Sequence, residues 1–144
     1  MGGKIVADPS QMLVVLDHNA PPADAKLAND YQAIRDLVKV HKINKFHDAG
    51  SGICHQLVSL HARPGMIILG SDSHTCTAGA FNTLAAGIDR TETAGLWKRG
   101  ETWLRVPDSM KITLKGQLNE GVYAKDLSLW IIGMIGSAGS VCIR

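Results

Sequence analysis

A chain of 144 residues in which 45% are hydrophobic and 19% charged can bury about two thirds of its unfolded surface, and that composition excludes disorder, collagen-like repeats and low complexity. Its 15 Lys and Arg stand among 13 Asp and Glu for a formal charge of +2. No basic stripe results, which argues against nucleic acid and against a polybasic membrane patch, and leaves a small molecule or another protein as the expected partner of a single domain.

Residues 12–16 form a short continuous apolar run ending in Asp17-His18, the pattern of a buried strand with polar groups at its carboxyl end. Pro21 and Pro22 then break the chain. From Asp24, a natural N-cap, the apolar positions Leu27, Tyr31, Ile34, Leu37 and Val38 keep the 3.6-residue period of an amphipathic helix to about His41. Residues 45–49 read as a short strand, and Gly50-Ser51-Gly52 as a turn into a second helix from Ile53 to about His61, closed by Pro64-Gly65. The strongest strand, 66–69, runs into Gly70-Ser71-Asp72-Ser73-His74-Thr75.

A small-residue helix is expected over 77–86, stopped by Gly87. Thr91, with Glu92 in the first turn, starts another that ends near Gly100. Residues 103–106 and 111–118 read as strands, the second alternating at Ile112, Leu114 and Gln117 or Leu118, and 124–135 as a final apolar helix. Alternating strands and helices imply an α/β layered sheet.

The apolar runs 66–69 and 129–132 fall far short of the ~20 residues that cross a membrane. The start of the chain lacks the apolar segment and small-residue cleavage site of a signal peptide, and Gly2 lacks the Ser or Thr expected for myristoylation. Cys54, Cys76 and Cys142 are an odd set without Cys-x-x-Cys spacing, which fits neither a disulfide framework nor a zinc ribbon. A cytoplasmic location is the expectation. A start close to a core strand and an apolar tail suggest a piece of something larger.

Ligands of open α/β sheets bind at the carboxyl ends of strands. Asp17-His18 and Asp72-Ser73-His74 both occupy such ends, and His55 follows the glycine turn at the start of a short helix. Brought to one crevice, these imidazoles and carboxylates would make an acid/base site, because a carboxylate fixes the tautomer of a histidine and raises its pKa. Taken singly, Asp17-His18 reads more often as a strand-end cap than as a catalytic pair, and His55 as structural. A hydrolase triad fails at Asp72-Ser73-His74, since adjacent residues cannot converge and no nucleophile elbow surrounds Ser73. Cys54 and Cys76 read as buried small residues, and His41, His47 and His61 as surface or structural.

Gly50-Ser51-Gly52-Ile53-Cys54-His55-Gln56, Arg63-Pro64-Gly65, Gly70-Ser71-Asp72-Ser73-His74-Thr75-Cys76-Thr77, Val106-Pro107 and Gly121-Val122-Tyr123-Ala124-Lys125-Asp126 resemble, in order and over nearly the whole chain, the aconitase superfamily. Within it they are most similar to the large subunits of 3-isopropylmalate dehydratases and their homoaconitase-like relatives. The resemblance implies a three-layer α/β/α domain with a mixed or mostly parallel sheet. It also implies a hydro-lyase that removes water from a hydroxy di- or tricarboxylic acid and returns it at the neighbouring carbon, as in the isomerisation of isopropylmalate in leucine biosynthesis. A [4Fe-4S] cluster serves there as Lewis acid.

Matched by motif, Asp17 with His18 would protonate the departing hydroxyl, His55 with Asp72 would pair near the cluster, Ser73 would touch substrate, and His74 would add another imidazole. The cluster-ligating cysteines of the family belong to later motifs, which Cys54, Cys76 and Cys142 do not match, so no metal ligand is assigned here. The serine base, from a small swivelling subunit or domain, and a substrate-binding glutamine likewise belong to the missing remainder. Asp89-Arg90 put bulk into the family's glycine-containing turn, and the tail from Ser140 departs from its pattern. Alone, the chain is expected to be inactive. Two further readings are a non-catalytic partner-binding domain and a metal-binding module built on His18, His55 and His74 with Asp17 or Asp72.

Overall fold

The computed structural model of the chain describes residues 6–106 and 108–136, which fall into two units, Met1–Thr102 and Trp103–Arg144. In the first, β1 (Leu13–Val15) pairs in parallel with β2 (Lys45–His47), Val14 standing opposite Phe46. Parallel strands require a crossover, and here it contains α1 (Ala25–His41). The second pair, also parallel, joins β3 (Ile67–Gly70) to β4 (Leu84–Gly87) with Gly70 opposite Gly87. Between the strands lie α2 (Cys54–Ser59) and a 3-10 segment, Thr75–Phe81, and after them α3 (Arg90–Arg99). The chain is α/β, as expected, with short parallel strands.

Helix α1 begins where the Asp24 carboxylate accepts the Leu27 backbone N–H at 2.8 Å, and it ends at Lys42 in the left-handed region, φ 54°. Its Val38 joins Met12, Val14 and Ile43 in a buried cluster against which Ile34, Leu37, Phe46 and Trp97 pack. Asp24→Ala leaves that N–H without a side-chain acceptor, and a loss of about 1 kcal/mol in unfolding free energy is expected by urea titration.

Three expectations are corrected. Residues 77–86 are not a helix: the 3-10 segment stops at Asn82, φ 59°, and Leu84–Gly87 pairs with β3 instead. Gly87 is needed for close approach, because a Cβ there would lie 2.6 Å from the Asp72 carbonyl oxygen. Residues 103–106 and 111–118 are not strands: no ladder partner for them exists among the described residues, and Trp103, Ile112 and Leu114 are exposed. Alternation supplies a face, whereas a strand also needs neighbours. Cys76 is exposed, not buried. Helix α3 starts one residue earlier than Thr91, with Asp89 capping Thr91 N–H at 2.6 Å and Glu92 returning to the Asp89 N–H at 3.1 Å. The bulk at Asp89-Arg90 is thus a helix start.

In the second unit α4 (Ala124–Ile135) spans the expected residues, and Asp126 accepts the Tyr123 N–H at 2.8 Å. None of the helices among the described residues is long and apolar enough to cross a membrane. The tail from Ser140 lies outside the described residues.

Candidate active site

The loops that leave β1 and β3 carry the two polar motifs, and α2 presents a third group in its first turn. Asp17 Oδ1 lies 2.8 Å from His18 Nδ1, and its other oxygen accepts the Cys54 backbone N–H at 2.6 Å. His18 Nε2 reaches 3.1 Å from Asp72 Oδ2. Asp72 Oδ1 lies 3.2 Å from His55 Nε2 and 3.5 Å from His74 Nδ1. One carboxylate therefore gathers three imidazoles, drawn from segments distant in sequence. His55 and His74 stand edge to face with centroids 5.9 Å apart, and Ser73 Oγ lies 3.2 Å from His74 Nδ1. Asp17, His18, His55, Asp72, Ser73 and His74 form one contiguous group.

The backbone beneath Asp72 is tightly held. Its side chain accepts the His74 N–H at 2.7 Å, its carbonyl accepts the Thr75 hydroxyl at 2.6 Å, and a Cβ on Gly70 would lie 2.7 Å from that hydroxyl. The loop after β1 is fixed from the other side, where the Tyr31 hydroxyl of α1 donates to the His18 carbonyl. Arg35 on the same helix binds Asp48 with Nη2 2.8 Å from Oδ1 and Nε 2.9 Å from Oδ2, tying α1 to the turn before α2. Tyr31 reads in the sequence only as a core position, and nothing in the spacing of Arg35 and Asp48 announces their pairing. The same holds for His47 and His61, whose Nε2 atoms meet at 3.1 Å; burial first, then the neighbouring His47, lowers the pKa of His61.

Charge follows this geometry. The hydrogen bond and the charge of Asp17, with a smaller contribution from Asp72, raise the pKa of His18 and favour imidazolium. Burial alone would raise Asp17, but the Cys54 N–H and thiol and His18 outweigh it, holding the carboxyl below its ordinary value. Asp72 is lowered chiefly by the His74 N–H, against a partial desolvation, with help from the charges of His55 and His18. The result is an imidazole ring bridging two carboxylates, with its protonated form favoured. The His18 side chain is 66% exposed while Asp17 is 11% exposed, so the carboxylate is built in and the proton donor faces outward. That arrangement suits proton delivery to a bound molecule.

A [4Fe-4S] cluster takes thiolate ligands, and the thiols here do not supply them. Cys54 is pushed up to about 12, by burial first and then by Asp17 and Asp72, and Cys76 is exposed. Among the described residues the donor groups that converge contain at most one cysteine each. Cys142 lies outside the described residues. The donor set of the described residues does not fit the cluster.

The profile of the Aconitase family (aconitate hydratase) matches residues 4–142. Among similar curated proteins, 3-isopropylmalate dehydratase large subunit 1 of Methanopyrus kandleri is 41% identical over 142 residues, covering 97% of this chain and 34% of the relative. The probable methanogen homoaconitase large subunit of Methanosarcina mazei is 41% identical over 137 residues, 94% of this chain and 35% of its own. The 3-isopropylmalate dehydratase large subunit of Aquifex aeolicus is 41% identical over 138 residues, 94% and 32% respectively. The chain spans about a third of the length of these relatives.

Proposed function

The chain belongs to the aconitase family, and from that premise we propose that it is the proton-transfer segment of a hydro-lyase large subunit acting on a hydroxy di- or tricarboxylic acid. The reaction assigned is the interconversion of 3-isopropylmalate and 2-isopropylmalate, a step of leucine biosynthesis in the cytoplasm. Homoaconitase chemistry is the second reading, favoured by homoaconitase relatives of equal identity. One partial domain of the whole enzyme is present, and its partners are the remainder of the large subunit and a small subunit that closes over the substrate.

The observation that carries this reading is the Asp72 carboxylate shared between His18 and His55 at 3.1 and 3.2 Å. Asp17 holds Nδ1 of His18, and the Nε2–H, which rests on Asp72 Oδ2 at 3.1 Å, is the proton given once a substrate hydroxyl takes the place of that carboxylate. In the dehydration direction that proton goes to the substrate hydroxyl, the C–O bond breaks with its electron pair leaving as water, and the neighbouring C–H pair forms the alkene. The proton from carbon goes to a base outside this segment. On return, the hydroxide of water adds to one alkene carbon while its proton goes back to His18, and the proton held by the outside base goes to the other carbon. His55, His74 and Asp72 hold the leaving water by hydrogen bonds, and Ser73 Oγ binds a substrate oxygen. Enzymes of this family generally carry a [4Fe-4S] cluster; its ligands would come from the remainder of the large subunit, and it would supply a Lewis acid there.

The test is a chimera in which this chain replaces the corresponding segment of the Aquifex aeolicus large subunit, paired with its partner subunit. Appearance of the alkene by ultraviolet absorbance with isopropylmalate is expected, and none is expected from the 144-residue chain by itself. A folded, cluster-loaded chimera without dehydration of any hydroxy di- or tricarboxylate would defeat the assignment.

A further inference from the structure

Two histidines outside the site meet each other. His47 is the last residue of β2 and His61 follows the end of α2, and their Nε2 atoms stand 3.1 Å apart with ring centroids separated by 5.5 Å. A hydrogen bond between these atoms needs one Nε2–H donor and one bare Nε2 acceptor, so the neutral rings hold opposite tautomers. When the donor ring takes a further proton on Nδ1, it still donates from Nε2 and the bond survives. A second proton removes the acceptor and sets two N–H groups and two positive charges face to face. We infer that His47 and His61 form a proton-sensitive latch, which holds the carboxyl end of α2 to the end of β2 and opens when both rings are protonated.

The surroundings favour opening in acid. Besides His47, His61 faces two cations, Lys45 of β2 and Arg63 beyond α2, and burial first, then these three groups, lowers its pKa. Lys45 and Arg63 donate to the backbone carbonyls of Ser10, Leu60 and Ala62, which keeps both charges in place. Among the described residues neither ring has a carboxylate partner. Asp48, the neighbour of His47 in the chain, is held by Arg35 at 2.8 Å. The latch joins segments that matter to the site: the His47 carbonyl accepts the Leu16 N–H at 3.0 Å, one residue before Asp17. The other end of α2 supplies the Cys54 N–H to Asp17 and His55 to Asp72. A helix of 6 residues is far too short to hold itself in water and depends on such ties. Because the folded chain favours neutral His61, this contribution to stability is complete above the ordinary value of about 6.5 and is lost as pH falls through the lower folded value. The inference stands whether or not the segment serves a hydro-lyase.

The experiment follows the histidine ring nitrogens of the 144-residue chain by 15N NMR from about pH 8 to about pH 5. Amide exchange is measured alongside and corrected for its intrinsic dependence on pH. At the alkaline end one Nε2 of the pair is expected to carry a proton and the other none. As the pair takes its second proton, the Leu60, His61 and Ala62 amides, which bond to Leu57 and Val58 carbonyls, should exchange about tenfold faster, the effect of losing one net hydrogen bond. His61→Gln and His47→Gln each retain a donor and an acceptor without a titrating ring, and should abolish that acceleration, whereas His41→Ala should leave it intact. The glutamine variants also separate the latch from His55, which remains free to titrate in both. Two protonated Nε2 atoms at the alkaline end would overturn the latch, as would an acceleration that persists undiminished in both glutamine variants. Steady exchange of the three amides while both rings charge would do the same. That last measurement uses the unsubstituted chain, so it decides the matter even where a variant fails to fold.

Discussion

His18→Ala, introduced into the chimeric dehydratase, lowers kcat about 10^2- to 10^4-fold, the range that a positioned general acid contributes. KM is expected to change far less, because in the proposed reaction the side chain meets the leaving hydroxyl and not the substrate carboxylates. Asp17→Asn gives a second, separate signature. Asp17 raises the pKa of His18, so in the intact site the imidazolium persists as pH rises, and dehydration falls only as pH passes through that raised value. Without the carboxylate the alkaline limb of the kcat profile moves to lower pH, towards the ordinary value of about 6.5. The same sign governs stability: the pairing stabilises fully below the unfolded pKa and is lost as pH rises through the folded one. A purely structural His18 would leave kcat within tenfold of the unsubstituted chimera and the alkaline limb unmoved.

The parts of this site that are legible in the sequence obey local rules. Asp17-His18 and Asp72-Ser73-His74 each follow an apolar run, and strand ends in α/β sheets collect such groups at one edge. The structure brings them within hydrogen-bonding distance. Long-range pairing is what local pattern misses. Residues 77–86 are rich in Ala, which favours helix, but Gly79 and a left-handed Asn82 interrupt the run, and Leu84–Gly87 finds a ladder partner in β3. In 111–118 the opposite occurs: the alternation is clean and no partner arrives among the described residues. The Tyr31 and Arg35 contacts that hold the site loops depend on how α1 lies against segments 13 residues away in each case. Spacing along one helix does not encode that docking.

Met12→Ala is expected to remove about 2–5 kcal/mol of unfolding free energy, a large part of the roughly 5–15 kcal/mol that holds a domain folded. Met12 is 4% exposed and packs with Val14, Val38 and Ile43. It thereby joins the entry of β1 to the end of α1, and β1 in turn delivers Asp17 and His18. Val40→Ala is the internal comparison: Val40 lies two residues beyond Val38 on the same helix but is 70% exposed, and its truncation should change stability by no more than about 0.5 kcal/mol. Urea titration of the chain reads both, with the midpoint falling for Met12→Ala at an unchanged slope. Equal effects from the two substitutions would mean that the Met12 cluster is not the core of this unit. The imidazoles would then lack the rigid strand end on which the proposed proton transfer depends.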